Sequence, residues 1–183
     1  MVDFSPRTLE SLFQRTLGQR WHTQLIGGAE EPLYLPADGS VPARIYYRHD
    51  YFRSALHEIA HWCLAGLERR QKPDYGYWYA PDGRDARQQA LFESVEEKPQ
   101  ALELLFCAAC GCPFCVSLDN LDGVTPDSAE FEARVLRRAR AWLEQGDMPR
   151  RGAIWIQALA SEYNRSAEPR PRHLDALFVS LAG

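Results

Sequence analysis

The sequence lacks three features that would assign it to common classes of protein. No apolar run approaches the roughly 18–20 residues that a membrane-spanning helix requires, so we expect no transmembrane segment. The first residues, Met-Val-Asp-Phe-Ser-Pro, contain neither the basic nor the apolar region of a secretory signal peptide. Positive charge is not in excess either, because the net charge is −4, which argues against a general nucleic-acid-binding protein.

The sequence also offers no good disulfide framework. Its five cysteines are an odd number, and four of them are crowded into residues 107–115, which is unusual for a secreted disulfide-stabilised domain. Together with the absence of a signal peptide, this predicts a cytoplasmic protein. The 183 residues, 45% of them hydrophobic and 25% charged, are ordinary for a globular chain, so we expect one domain spanning residues 1–183.

Turn residues and strand-like segments predict a small β-sheet. Gly27-Gly28 is typical of a loop, and short strands are predicted at Leu33–Leu35 and Ala43–Arg48. A further aromatic strand is predicted over residues 75–79, closed by a turn at residues 81–83. These strands occupy a small part of the chain, so the sheet should be minor.

Helical periodicity covers most of the remaining sequence. Ser5-Pro6 and Gly18 are typical of the start and the end of a first helix. Asp50 is predicted to cap a long helix that runs to about Arg70, and Asp85 to cap another that ends near residue 97, where Pro99 either kinks the helix or begins a new one. Amphipathic helices are predicted at residues 131–143 and 154–163. The expected fold class is α+β, helix-rich with a small sheet.

Residues 54–66 read SALHEIAHWCLAG and contain an H-E-x-x-H motif, formed by His57, Glu58 and His61. Positions i and i+4 of a helix share a face, which suits two imidazoles binding one cation, with Glu58 beside the open coordination position. The same pattern arises by chance in helices that carry a solvated glutamate. Here it borders a strong apolar stripe, which favours a metal site on a central helix, in a metalloprotease-like arrangement.

Two histidines leave a divalent cation short of ligands, so a third protein ligand is expected. The segment FESVEEKPQ offers three carboxylates. Glu93 and Glu96 are three residues apart and share a face with Phe92, whereas Glu97 should point elsewhere. Spacing therefore ranks Glu93 and Glu96 equally. None of the remaining histidines has a helical context typical of a ligand: His22, His49 and His173.

Three other groups of residues allow both a functional and a structural interpretation. The aromatic and acidic side chains of residues 75–85, beginning with Tyr75, suit an aliphatic cation, although half of the aromatic rings should be core. The segment CAACGCPFC separates two C-x-x-C units by a single glycine, too little for a usual zinc site, which favours packing. A row of arginines is either a solvated face or a docking surface for an acidic partner: Arg134, Arg137, Arg138 and Arg140.

Five stretches taken together resemble the bacterial elongation factor P hydroxylase family: EPLYLPAD, SALHEIAHWCLAG, YGYWYAPDGRDA, VEEKPQALELLFC and PFCVSLDNL. The resemblance runs in register from about residue 31 to residue 121. It implies iron bound by His57, His61 and Glu96, with Glu58 on the motif glutamate. It also implies elongation factor P as the protein substrate, hydroxylated on the lysine that already bears a β-lysyl group.

The implied ligand set fits that chemistry. Two imidazoles and one carboxylate leave up to three positions open, the arrangement of non-haem Fe(II) sites that use molecular oxygen, although the same ligands also bind zinc. No H-x-D motif with a distal histidine is evident on the predicted strands, so we expect no 2-oxoglutarate dependence, and the electron donor is not specified. Glu58 would orient or deprotonate a bound water. Substrate contacts are expected from Tyr77, Trp78, Tyr79, Asp82 and Asp85.

A hydroxylase is therefore favoured over two alternatives. A zinc metallopeptidase would use the same H-E-x-x-H plus glutamate site, with Glu58 as its general base. A non-catalytic binding module would hold the metal without an open coordination position. Residue types alone do not distinguish iron from zinc, and they do not specify the oligomeric state.

Overall fold

The computed structural model describes residues 4–76, 83–118 and 128–163. A π-helical turn at Gln14–Gly18 joins the first two helices, and 3-10 turns at Arg69–Gln71 and Pro73–Gly76 follow the third. The predicted helix-rich α+β fold with a small sheet is confirmed. Its strands and α-helices are α1 (Pro6–Phe13), α2 (Gln19–Trp21), β1 (Thr23–Ala29), β2 (Leu33–Leu35), β3 (Ala43–Arg48), α3 (Phe52–Leu64), α4 (Ala86–Cys110), α5 (Ser128–Gln145) and α6 (Arg150–Glu162).

The sheet has three strands in the order β1-β3-β2, with β3 at its centre. β1 pairs with β3 in parallel, placing Leu25 opposite Ile45, and β2 pairs with β3 antiparallel, placing Tyr34 opposite Ile45. All three side chains are buried. The alternation of burial along β3 shows that one sheet face covers the helical core and the other faces solvent.

The structure corrects the interpretation of two glycine positions. Gly18 does not end the first helix, which continues to Trp21. A Cβ at Gly18 would lie 2.7 Å from the carbonyl oxygen of Thr23, so this glycine allows the helix to approach β1 closely. The predicted loop at Gly27-Gly28 belongs to β1. A Cβ at Gly27 would lie 2.5 Å from the hydroxyl of Tyr47, so a strand can pass there only without a side chain.

Helix α3, which carries the H-E-x-x-H motif, is shorter than predicted. It begins at Phe52, with Tyr51 rather than Asp50 at the N-cap, and it ends at Leu64 rather than near residue 70. Arg151 of α6 stabilises this early end by donating hydrogen bonds to three carbonyl oxygens at the C-terminus of α3, those of Trp62, Cys63 and Ala65.

Helix α4 is one continuous helix of 25 residues that contains Pro99 in its interior. Asp85 caps it as predicted, since its carboxylate accepts a hydrogen bond from the Gln88 backbone while the Gln88 side chain accepts one from Asp85. The predicted end near residue 97 is wrong, and Pro99 does not begin a new helix. Pro99 is buried within the helix, where tertiary packing outweighs the hydrogen bond that proline cannot donate.

Helices α3, α5 and α6 all contact α4. Gly152 of α6 permits close packing, because a Cβ there would lie 3.0 Å from Leu102 Cδ1. The ring of Phe13 contacts the rings of Trp62 and Trp155 edge-on, which joins α1, α3 and α6. These contacts fix α3 against α4. Within the described ranges, the structure contains no helix with the length and hydropathy needed to span a membrane.

Candidate metal centre

The candidate metal centre lies where α3 meets α4. His57 and His61 occupy successive turns of α3, and their Nε2 atoms lie 3.1 Å apart. Glu96 of α4 faces both: its Oε2 lies 3.4 Å from His57 Nε2, and its Oε1 lies 3.3 Å from His61 Nε2. Among the described residues, this is the one group of three histidine, cysteine or acidic side chains whose ligand atoms all lie within 4.8 Å of one another.

These separations fit a single transition-metal ion. Ligand atoms about 2.0–2.2 Å from a metal, at tetrahedral or octahedral angles, lie about 3.0–3.5 Å from each other. The chemistry of the donors points the same way, because each imidazole presents its Nε2 atom to the other's Nε2 atom. Two unprotonated Nε2 atoms at 3.1 Å repel each other unless a cation or a proton lies between them. The carboxylate of Glu96, with 3% of its side chain exposed, adds negative charge at the same point.

The structure separates the three glutamates that the sequence offered. Glu96 faces the histidines. Glu93 forms an ion pair with Arg134 of α5, and Glu97 lies close to Arg134 and to Arg138. Glu93 is buried, as its spacing predicted, but its carboxylate faces Arg134 of α5 and lies away from the centre.

His57 has a second carboxylate partner. Its Nδ1 atom lies 3.0 Å from Oε2 of Glu103, another buried residue of α4. Burial by itself lowers the pKa of His57, but the hydrogen bond to Glu103 and the charges of Glu96, Glu103 and Glu58 outweigh it and raise that pKa to about 10. The negative charge that raises this pKa also favours a metal cation at the same place.

Glu58, the motif glutamate, lies in the electrostatic field of the centre. Burial raises the pKa of its carboxyl group, the nearby histidines His57 and His61 oppose that rise, and Glu96 reinforces it. A carboxyl group whose pKa is raised in this way exchanges a proton more readily near neutral pH than a solvated glutamate does.

Tyr75, one of the aromatic residues that the sequence singled out as possible pocket lining, lies beside the centre. Its ring is stacked parallel to the ring of His61, with centroids 6.3 Å apart, and its other neighbour is the ring of Tyr34 at 4.3 Å. Tyr75 was predicted to begin a strand, but it lies in a 3-10 turn in which both Asp74 and Tyr75 have left-handed backbone angles. The carboxylate of Asp74 secures this turn by accepting a hydrogen bond from the backbone of Tyr34.

The structure does not test the predicted substrate contacts. Tyr77, Trp78, Tyr79 and Asp82 lie outside the described residues. Asp85 is described, and its carboxylate is engaged in capping α4. Contact of these residues with a substrate stays a prediction.

The cysteines and arginines singled out in the sequence have identifiable neighbours. Cys107, Cys110 and Cys112 are buried and form no disulfide bond, and within the described part of the chain the cysteines form no metal-binding group. Cys115 is half-buried and contacts Arg53, whose Nη1 atom lies 2.8 Å from its Sγ atom. Two arginines of the row, Arg134 and Arg138, pair with glutamates of α4. A third, Arg137, is exposed.

Comparison with known proteins identifies the family. A family model described as elongation factor P hydroxylase matches residues 12–173. The chain belongs to the elongation factor P hydroxylase family. It is similar to the elongation factor P lysine hydroxylase of Haemophilus influenzae, with 42% identity over 155 residues, which cover 84% of this chain and 86% of that protein. The resemblance predicted from the sequence is confirmed, and the matched range includes the whole of the candidate centre.

Proposed function

We propose that this protein hydroxylates a lysine side chain of elongation factor P, using a metal ion held by His57, His61 and Glu96. Membership of the family supports the reaction. The observation that supports the metal site most directly is the convergence of two imidazole nitrogens and one buried carboxylate within 4.8 Å. The metal we propose is Fe(II), because this ligand set leaves positions open for oxygen and substrate.

Each residue of the centre has a distinct task in this proposal. His57 and His61 present neutral Nε2 atoms from one face of α3, and Glu96 supplies the negative charge from α4. Bound iron would supply the activation of molecular oxygen. The raised pKa of Glu58 suits a group that accepts a proton beside the metal and returns it later. The ring of Tyr75 shields one face of His61 from water.

The substrate is proposed to be the form of elongation factor P that already carries a β-lysyl group. Such a side chain is long and cationic, and a site rich in carboxylates attracts it. The residues predicted to bind it stay part of this proposal: Tyr77, Trp78, Tyr79, Asp82 and Asp85. So does the cytoplasmic location, where translation factors are modified.

The alternative of a zinc metallopeptidase is not supported by the comparisons, which match a hydroxylase family. The two functions are separable by experiment. The protein, loaded with Fe(II) or with Zn(II), is incubated in air and with a reductant, either with β-lysylated elongation factor P or with an unfolded generic protein. We expect the iron form to add one oxygen atom to elongation factor P and neither form to cleave the unfolded protein. Zinc-dependent cleavage without oxygen addition would contradict the proposal.

A further inference from the structure

We propose that Glu103 and Arg53 form a positioning relay that fixes His57 in the orientation and tautomer required for metal binding. This inference rests on the proposed metal site. Glu103 lies seven residues after Glu96, two turns further along the same face of α4, and it is 3% exposed. Arg53 lies four residues before His57 on α3. The packing of α3 against α4 therefore places His57, Glu103 and Arg53 next to one another.

The two oxygens of Glu103 have separate partners. Oε1 accepts hydrogen bonds from Nε and Nη2 of Arg53, at 3.1 and 2.7 Å. Oε2 lies 3.0 Å from Nδ1 of His57. An ion pair that served only to hold the helices together would not require the second oxygen to face a metal ligand. Because Oε2 is an acceptor, the proton of a neutral His57 belongs on Nδ1, which leaves the lone pair of Nε2 directed at the centre.

Arg53 is itself held on several sides. Its Nη1 and Nη2 atoms donate to the Sγ and the carbonyl oxygen of Cys115, at 2.8 and 2.7 Å. Its guanidinium group also lies over the ring of Phe114, 5.1 Å from the centroid. The segment that follows α4 thus determines where Arg53 lies, and Arg53 determines where Glu103 lies. Such restraint is what keeps a ligand within a fraction of an ångström of its working position.

The charge balance supports the same assignment. Glu103 lies close to His57, which also faces Glu96, so two carboxylates lie on one imidazole. Arg53 balances the charge of Glu103, while the charge of Glu96 is left for the metal. Without Arg53, the buried carboxylate of Glu103 would lose its guanidinium partner beside a second carboxylate, which is costly.

The test compares Glu103→Gln with a matched variant of the same helix, Glu93→Gln. Both replace a buried carboxylate that is paired with an arginine, but Glu93 faces Arg134 and lies away from the centre. The affinity for Co(II) is measured by competition with a chelator, and the Co(II) absorption spectrum reports the coordination geometry. The melting temperature of the metal-free form is recorded in parallel.

We expect Glu103→Gln to weaken Co(II) binding about 10–100-fold and to change the spectrum, whereas Glu93→Gln should lower the melting temperature without changing either. Arg53→Lys should weaken binding in the wild-type background but have little further effect in the Glu103→Gln background, because it acts through Glu103. Co(II) affinity and spectrum unchanged in Glu103→Gln would overturn the relay. A wild-type protein that binds no Co(II) would instead overturn the metal site itself.

A second readout does not depend on stability. In the zinc-loaded protein, nitrogen NMR of the histidine rings should show His57 bound through Nε2 and protonated at Nδ1. In Glu103→Gln, the Nδ1 proton of His57 should exchange faster with water, since its carboxylate acceptor is lost. Zinc bound through Nδ1 of His57 in the wild type would contradict the relay even if every variant folds.

Discussion

The Nε2 atoms of His57 and His61 lie 3.1 Å apart, on successive turns of α3. The distance follows from the four-residue spacing of the two histidines, and it is short enough for both to bind one metal ion. A helix presents residues i and i+4 on the same face, and here the face is pressed against α4, so that both imidazoles meet the carboxylate of Glu96. The first two predictions follow from this arrangement.

Removal of either histidine should empty the centre. We expect His57→Ala and His61→Ala each to reduce the metal content from one equivalent to near zero, because two remaining ligands hold a divalent ion poorly. Elemental analysis of the purified variants measures this. The matched control is His22→Asn, which changes an exposed histidine with a left-handed backbone that asparagine tolerates. Full occupancy in both alanine variants would refute the site.

The three glutamates of α4 should respond differently to substitution. Glu96→Ala should remove the metal, because its carboxylate faces both histidines. Glu93→Ala should keep the metal and destabilise the fold by roughly 1–3 kcal/mol, because it leaves Arg134 without its buried partner. Glu97→Ala should be mild in both respects. Metal analysis and thermal melting distinguish these outcomes, and metal loss in Glu93→Ala with retention in Glu96→Ala would show that the ligand is misassigned.

The arginines of α5 should separate a structural role from a docking role. Arg134→Glu would place a carboxylate against Glu93 and Glu97, so we expect a lower melting temperature, with an effect that shrinks as salt rises. Arg137→Glu, an exposed position on the same helix, should leave the melting temperature unchanged. If Arg137 belongs to a docking surface, its reversal should raise the KM for elongation factor P. Equal destabilisation by both changes would contradict the ion-pair geometry.

Tyr75 should act through its ring. Within the described residues, its buried hydroxyl has no hydrogen-bond partner, so Tyr75→Phe breaks no described hydrogen bond and should leave both melting temperature and metal content unchanged. Tyr75→Ala removes the ring between His61 and Tyr34, and it should cost about 3–5 kcal/mol of stability and weaken metal binding. Calorimetry and metal analysis of the two variants test this, and identical losses in both would assign the role to the hydroxyl.

The sequence predicted those parts of the fold that depend on short-range patterns. The H-E-x-x-H helix, the capping of α4 by Asp85 and two of the three strands follow from residues close together in the chain. The boundaries that were wrong depend on distant residues. The carbonyl oxygens at the end of α3 are satisfied by Arg151, far along the chain, and position 27 of β1 requires glycine because the Tyr47 hydroxyl occupies the space of a side chain.

Glu103 shows why part of the site was missed. Residue type and spacing within FESVEEKPQ drew attention to three glutamates, whereas Glu103 follows Pro99, where the helix was expected to break. A signal was nevertheless present, because buried polar residues recur along α4 at alternating spacings of four and three. Read across the proline, that pattern predicts one continuous polar face: Gln89, Glu93, Glu96, Gln100 and Glu103.

We propose that this chain adds oxygen to elongation factor P through the metal centre formed by α3 and α4. The most direct measurement is the intact mass of β-lysylated elongation factor P after incubation with Fe(II), reductant and air, using the wild type, Glu96→Ala and Glu97→Ala. We predict a gain of one oxygen atom with the wild type and Glu97→Ala, and no gain with Glu96→Ala. An unchanged mass with the iron-loaded wild type, or an equal gain with Glu96→Ala, would contradict the claim.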